Sequence, residues 1–472
     1  MFGGLDMLID EIKNGENRNI EFKQELPDKS NKYIKTVVGY ANTSGGKIII
    51  GVEDETRNIV GVEESEVFEL IDKITNTISD TVSPQIVPNI TFATIDGKCL
   101  IIIEIYPGAN RPYYIKSLRK ENGAYIRVSG TTRHADKIIL KELELQGMNK
   151  SYDEMVIVGK ELNVSAAEKL CLDIKRYMSI STDNNSKKII TKDITIQNIE
   201  NWGIIKRIDG VLVPTNAFDL LTENTFKFAK IQCALFKGTT RSKFIDKREF
   251  DGALYLQIEE AYQFVLKHIN LGAEIDGIIR KDVYELPVDA IREAIVNAVT
   301  HRNYMDNSCV QVSVFDDRVE ITSPGMLFGG LDIEMIKSGR SKIRNTGIAE
   351  IFSRMRIVEG WGTGIQRIMD GCKNYGIPEP EFVEIGDSFR VNIFRKYNEP
   401  QNEPQNEPQT KEEKLLSIIR DEPTINKAKI AEKMNVSLST VKRITSRLKN
   451  DGVINYIGSS KSGSWIINNN EI

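Results

Sequence analysis

Tyr40-Ala41-Asn42-Thr43-Ser44-Gly45-Gly46-Lys47-Ile48-Ile49-Ile50-Gly51-Val52 passes from a helical pattern into a β-branched apolar run across two glycines. Such a junction reads as a helix ending in a tight turn that feeds a strand directly. Glycine accepts the positive φ the turn needs, and Asn42 can cap the last helix carbonyls. A second apolar run, Cys99-Leu100-Ile101-Ile102-Ile103-Glu104-Ile105, predicts a partner strand. The N-terminal region is therefore expected to be mixed α/β.

Upstream of the turn stand Gly15-Glu16 and Ile20-Glu21-Phe22-Lys23, and downstream Glu53-Asp54. Glu16, Glu21 and Asp54 could converge around the first strand. Converging carboxylates hold Mg²⁺ or Mn²⁺ and leave water positions free for a phosphodiester. Farther on come Tyr125-Ile126-Arg127-Val128 and Gly130-Thr131-Thr132-Arg133. The E-F-K, A-N-x-x-G-G, G-V-x-D and Tyr-x-Arg motifs together resemble the Schlafen AlbA-type domain. In its tRNA-cleaving members the resemblance implies two glutamates and an aspartate as the catalytic, metal-holding set, here Glu16, Glu21 and Asp54, with Glu53 the alternative to the last. Arg111, Lys116, Arg119, Lys120, Arg127 and Arg133, interleaved with Tyr113, Tyr114 and Tyr125, have the cation-plus-aromatic composition of a nucleic-acid groove.

A second constellation begins at Leu286-Pro287. Over residues 289–300 the apolar positions recur at helical spacing, which places Glu293 and Asn297 four apart on one face. Mg-ATP hydrolysis uses such a pair: a carboxylate base to orient water, and an amide oxygen on the metal. Two strands are expected over residues 310–314 and 318–321, the second running into Ser323-Pro324-Gly325. Gly360-Trp361-Gly362-Thr363-Gly364 then opens a helix, where backbone N–H groups can approach phosphate. The set resembles the GHKL ATPases, the fold of gyrase and histidine kinases. The resemblance implies ATP with Mg²⁺, Glu293 as hydrolytic base, Asn297 on the metal, and Gly325, Arg344, Gly360, Gly362 and Gly364 around the nucleotide. The family's D-x-G-x-G turn is here Ser-Pro-Gly, a divergent form.

Residues 398–409 read NEPQNEPQNEPQ, a Pro-rich polar repeat that cannot bury a core and acts as a spacer. Beyond it, helical patterns over 411–420, 426–434 and 438–449 precede two short strands around a Gly/Ser/Lys tip. That order resembles a bacterial winged helix. Ser439, Thr440, Lys442, Arg443 and Arg447 would face a major groove, with Lys461 at the wing tip.

The resulting expectation is a multidomain α/β and α+β chain. It has a Schlafen AlbA-like domain at 1–145, a connector at 146–285, a divergent GHKL-like sandwich at 286–397, the linker at 398–409 and the winged helix-turn-helix at 410–472. A net charge of −4 over 472 residues excludes a global basic field, so nucleic acid must be met by local patches. Five scattered cysteines without a C-x-x-C pair argue against zinc and disulfides. With no signal-peptide pattern and no long apolar run, a cytoplasmic protein without a membrane partner is expected. The function expected is a nucleotide-responsive DNA-binding regulator acting as a homo-oligomer on duplex DNA. The alternative is a metal-dependent tRNA endonuclease gated by the nucleotide pocket, as in phage defence.

Overall fold

The computed structural model describes residues 2–180, 193–276, 279–359, 362–396, 411–458 and 463–467. The chain divides into two compact units, Met1–Tyr397 and Asn398–Ile472.

In the first unit, the opening stretch folds as its composition dictates. Helix Asn31–Asn42 leads into strand Gly46–Ile50, which sits inside a four-stranded sheet. Strand Ile20–Lys23 pairs with it in parallel on one side and Lys98–Ile105 antiparallel on the other; Asn89–Ile95 forms the far edge. Ile48 and Ile50 pack with the helix residues Ile34, Val37 and Val38, while Ile49 joins Leu8 and Ile12 of helix Phe2–Asn14 on the opposite face. A sheet covered on both faces explains the unbroken apolar run.

The turn differs from expectation in one respect. Asn42 does not cap the helix. Its amide donates to Tyr113 O (2.8 Å) and Tyr125 O (2.9 Å), and its Oδ1 accepts from Tyr113 N (2.8 Å). Thr43 takes the capping role, its Oγ1 donating to Gly39 O at 2.7 Å. The glycines are required: Gly45 has φ +80°, and a Cβ on Gly46 would lie 2.5 Å from the Tyr40 ring.

The same unit contains a larger sheet, six-stranded among the described residues. Its order is Phe244–Phe250, Ile231–Phe236, Val310–Val314, Arg318–Pro324, Ser388–Phe394, Glu381–Ile385. Two of these strands come from the segment expected to be a connector. Ile231–Phe236 pairs in parallel with Val310–Val314, across an intervening stretch that includes helices Leu254–His268 and Val288–Thr300. Those helices and Gly364–Asn374 contribute to one continuous core with the sheet, through Ile258, Ile291, Ile295, Val312, Ile321 and Ile368.

The second unit has a core of its own. Helices Lys411–Asp421, Lys427–Met434 and Leu438–Asn450 enclose Leu415, Ile430, Val441 and Leu448, with Trp465 donating its ring N–H to Ile425 O at 2.9 Å. Asn435 takes the left-handed conformation (φ 53°) at the turn, and Ser437 Oγ accepts from Thr440 N to start the third helix. Strands Ile454–Ile457 and Ser464–Ile467 form the wing. The NEPQ repeat and Lys461 lie outside the described residues.

Candidate nucleotide pocket and nucleic-acid surfaces

A cavity of about 450 Å³ opens between helix Val288–Thr300, the loop at 325–331 and the start of helix Gly364–Asn374. Glu293, Asn297, Gly325, Arg344, Gly362 and Gly364 all line it. Residues far apart in the chain are thus brought to one site. Asn297 Nδ2 lies 3.2 Å from Glu293 Oε1, as the i, i+4 spacing requires. A Cβ on Gly364 would sit 2.2 Å from Glu293 Oε1 and 3.0 Å from Asn297 Nδ2. The helix N-terminus, with its free N–H groups, therefore abuts the Glu/Asn pair because residue 364 has no side chain. Gly362 has φ +68°. Gly360 lies outside the described residues.

The lining also includes apolar side chains, among them Ala294, Ala298, Ile321, Ile365 and Phe389. The volume is within the range of small-ligand sites, which join mostly apolar walls to a few fixed polar groups. Such a donor set suits a nucleotide: apolar surface for a base, and helix N–H groups with a carboxylate–amide pair at the phosphate end.

Arg344 is not free to bind phosphate. Its Nη1 donates to His301 O, its Nη2 to Met326 O and its Nε to Glu142 Oε1, each at 2.7 Å, and the residue is buried. All three edges of the guanidinium are engaged by protein. The cations at the rim are Arg340, which is exposed, and Lys342, whose Nζ donates to Gly329 O at 2.5 Å; the sequence reading passed over both although they closely precede Arg344. Burial, reinforced by the Arg344 charge, pushes the His301 imidazole down to about 4, so it stands neutral in the wall at neutral pH. At the divergent turn, Ser323 Oγ donates to Ala298 O at 2.6 Å, which ties the turn to the Glu293/Asn297 helix.

The three N-terminal carboxylates are neighbours with different environments. Glu16 Oε1 accepts from Phe22 N at 2.6 Å. Burial raises the Glu16 carboxyl above the usual range against that hydrogen bond, and the charges of Asp54 and Glu21 add to the rise. Glu21 is buried and engaged on both oxygens. Oε2 takes Arg127 Nη1 at 2.8 Å, Oε1 takes Lys23 Nζ at 2.8 Å, and Thr36 Oγ1 reaches both. Asp54 is exposed. Among the described residues no three His, Cys, Asp or Glu side chains are grouped closely enough to hold a metal ion.

Comparison with known families agrees with this architecture. Residues 16–136 match the model described as Schlafen, AlbA_2. Residues 307–393 match one described as ATP-dependent DNA helicase recG C-terminal, beginning just after the Glu293/Asn297 helix. Residues 409–455 match winged helix-turn-helix DNA-binding. The chain joins a Schlafen AlbA_2 domain, an ATPase-like domain and a winged helix. A 79-residue stretch is 39% identical to an "uncharacterized ATP-binding protein" of Ureaplasma parvum serovar 3; it covers 16% of this chain and 22% of that protein. Among solved structures, the DIP2311 protein from Corynebacterium diphtheriae aligns over 96% of this chain and 92% of its own, with 18% identity and a TM-score of 0.44. The N-terminal domain of a DNA helicase RecG-related protein from Nitrosomonas europaea aligns over 27% of this chain and 88% of its own, with 21% identity and a TM-score of 0.20. The domain matches point to nucleic-acid binding and nucleotide binding.

The AlbA_2 domain uses most of its candidate cations internally. Arg127 is 2% exposed; besides Glu21 it donates to Asn17 O and Arg18 O. Arg111 donates to Gln146 Oε1 and Thr43 O, each at 2.6 Å. Lys116 caps helix Val67–Thr81 through Ser79 O and Asp80 O, and Lys120 pairs with Glu144. Tyr113 and Tyr125 are buried and cannot stack on bases. Arg127 is therefore a core clamp rather than a surface contact, and Tyr40 lies under its guanidinium. Arg119 and Arg133 remain exposed, joined by Lys35 above the Tyr125 ring (5.3 Å), which the sequence reading did not single out.

In the winged helix, Ser439, Lys442, Arg443 and Arg447 are exposed along one face of Leu438–Asn450 and Thr440 is half-buried beside the cap. Arg447 pairs with Glu412 of the first helix. Among the described residues no helix is long and apolar enough to cross a membrane.

Proposed function

We propose that this chain is a nucleotide-responsive regulator that binds duplex DNA through its winged helix and ATP, with Mg²⁺, in the ATPase-like pocket. The observation that carries the reading is the convergence of Glu293, Asn297, Gly362 and Gly364 in the lining of the 450 Å³ cavity. Asn297 would hold the ion and Glu293 would orient water; the bound ion would polarise the phosphates. Arg340 and Lys342 would attract the phosphate charge from the rim, and Arg344 would hold the walls. Lys442 and Arg443 supply the DNA contact, with Arg119, Arg133 and Lys35 a second basic surface. A symmetric dimer would place two winged helices on paired half-sites.

The endonuclease alternative needs Glu16, Glu21 and Asp54 to share a divalent ion. Glu21 would first have to leave Arg127, Lys23 and Thr36, so the regulator reading is favoured. The test is titration calorimetry with Mg-ATP beside a gel shift with duplex DNA, for the natural chain and a Lys442→Ala/Arg443→Ala double variant. Saturable ATP binding by both proteins, and a DNA shift lost only in the variant, are expected. Cleavage of tRNA that needs Mn²⁺ and vanishes in Glu21→Ala would instead establish the endonuclease.

A further inference from the structure

Loop 325–331 has two faces. Toward the nucleotide pocket it presents Gly325, Met326, Leu327, Phe328 and Leu331. Toward the AlbA_2 domain, Met326 packs on the apolar cluster of Ala124, Ile126, Ala135 and Leu143. Gly330 meets the A-N-x-x-G-G turn so closely that a Cβ would lie 2.6 Å from Ser44 N. The loop is thus a strap between the pocket and the AlbA_2 turn, and Gly325, Gly329 and Gly330 hold it in shape at three positive-φ positions (φ +103°, +65° and +84°).

One side chain continues this contact into the AlbA_2 interior. Arg18 Nη1 donates to Leu331 O at 2.7 Å and lies 3.9 Å from Glu384 Oε2, while Glu384 Oε1 accepts from Leu327 N at 2.9 Å. Arg18 therefore engages the end of the strap directly and its start through Glu384. The main-chain oxygen of Arg18 accepts from Arg127 Nε at 3.3 Å, and Arg127 Nη1 holds Glu21 Oε2 at 2.8 Å. A continuous hydrogen-bonded route runs from pocket wall to buried carboxylate: strap, Arg18, Arg127, Glu21. Arg18 Nε is buried without a hydrogen-bond partner. Buried donors are rarely left so, and this unused donor lowers the cost of moving Arg18 to another arrangement.

We propose that Arg18 is the positioning residue through which occupancy of the nucleotide pocket sets the Arg127–Glu21 pair of the AlbA_2 domain. The inference rests on the nucleotide reading above. A ligand against Leu327, Phe328 and Leu331 shifts the strap; Leu331 O and Glu384 move with it; Arg18 follows, and its backbone carries Arg127. Because coupling between sites is reciprocal, a ligand that draws Glu21 from Arg127 changes nucleotide affinity by the same factor.

The test is amide hydrogen exchange with and without Mg-ATP, on the full chain and on Arg18→Met and Arg18→Lys. Met keeps the aliphatic stem and removes the donors; Lys restores one donor. In the natural chain, ATP is expected to change exchange at the pocket (325–331 and 362–368) and also at 16–23 and 125–133. Arg18→Met keeps the pocket response and loses the distal one; Arg18→Lys regains part of it. A distal response that persists in Arg18→Met, or is absent from the natural chain while the pocket responds, overturns the inference and leaves the nucleotide reading intact. No pocket response in the natural chain overturns both.

Discussion

Arginine carries different duties in this chain, and the letter alone does not distinguish them. Arg344, Arg127 and Arg111 occur in stretches that read as ligand-facing, yet each spends its guanidinium on protein: Arg344 and Arg127 on carbonyls and a carboxylate, Arg111 on Gln146 Oε1 and Thr43 O. A planar guanidinium with five donors on three nitrogens can tie widely separated backbone segments at once, where a lysine offers a single point of attachment. Arg344 joins the end of the Glu293/Asn297 helix, the strap and, through Glu142, the AlbA_2 domain. Its removal leaves Glu142 and two carbonyls unpaired in a buried place. Arg344→Ala is accordingly expected to destabilise the first unit by about 3 kcal/mol or more, seen as a lower urea midpoint. Arg344→Lys should recover little, since a compact ammonium cannot span three acceptors set around the separate nitrogens of a planar guanidinium. A midpoint unchanged in Arg344→Ala would refute the clamp and return Arg344 to the ligand.

At the scale of elements, local pattern was a good guide wherever the controlling interaction is local. The apolar run after Gly45-Gly46 is a strand, the i, i+4 pair lies on one helix face, and Ser437 starts the third helix of the winged helix. What local pattern could not convey is partner choice. The strands Ile231–Phe236 and Phe244–Phe250 join a sheet whose next strand is Val310–Val314, so their place depends on long-range packing that no nearby residue announces. Likewise a run of basic residues says nothing of burial, which is why Arg127 read as a surface contact. Gly364 is the case where motif and packing agree. The space its missing Cβ leaves is filled by Glu293 Oε1 at 2.2 Å. Gly364→Ala must push that carboxylate aside, although alanine is the better helix former by about 1 kcal/mol. The expected outcome is at least a roughly tenfold weaker ATP affinity, about 1.4 kcal/mol, with an unchanged or higher unfolding midpoint. Calorimetry beside urea unfolding separates the two effects; a loss of both would mark a folding defect, and a loss of neither would remove Glu293 from the site.

For the whole molecule, the division of cores predicts the division of functions. The AlbA_2 and ATPase-like domains share one compact unit, stitched by Arg344–Glu142, Arg18–Leu331 and Met326, whereas the winged helix closes its own core around Leu415, Val441 and Trp465. Packing that crosses between the first two domains makes them unfold together, while independent cores unfold independently. A fragment of residues 1–397 is therefore expected to keep Mg-ATP binding and a single cooperative transition, and to lose most affinity for duplex DNA. A fragment of residues 398–472 should fold alone, with the modest stability of a small core, and retain salt-sensitive DNA binding through Lys442 and Arg443. Circular dichroism melts and salt-dependent gel shifts on both fragments measure this. If 1–397 binds duplex DNA as tightly as the full chain, Arg119, Arg133 and Lys35 of the AlbA_2 surface become the main DNA contact. The nucleotide pocket would then act on the very domain that holds the nucleic acid, through the strap they share.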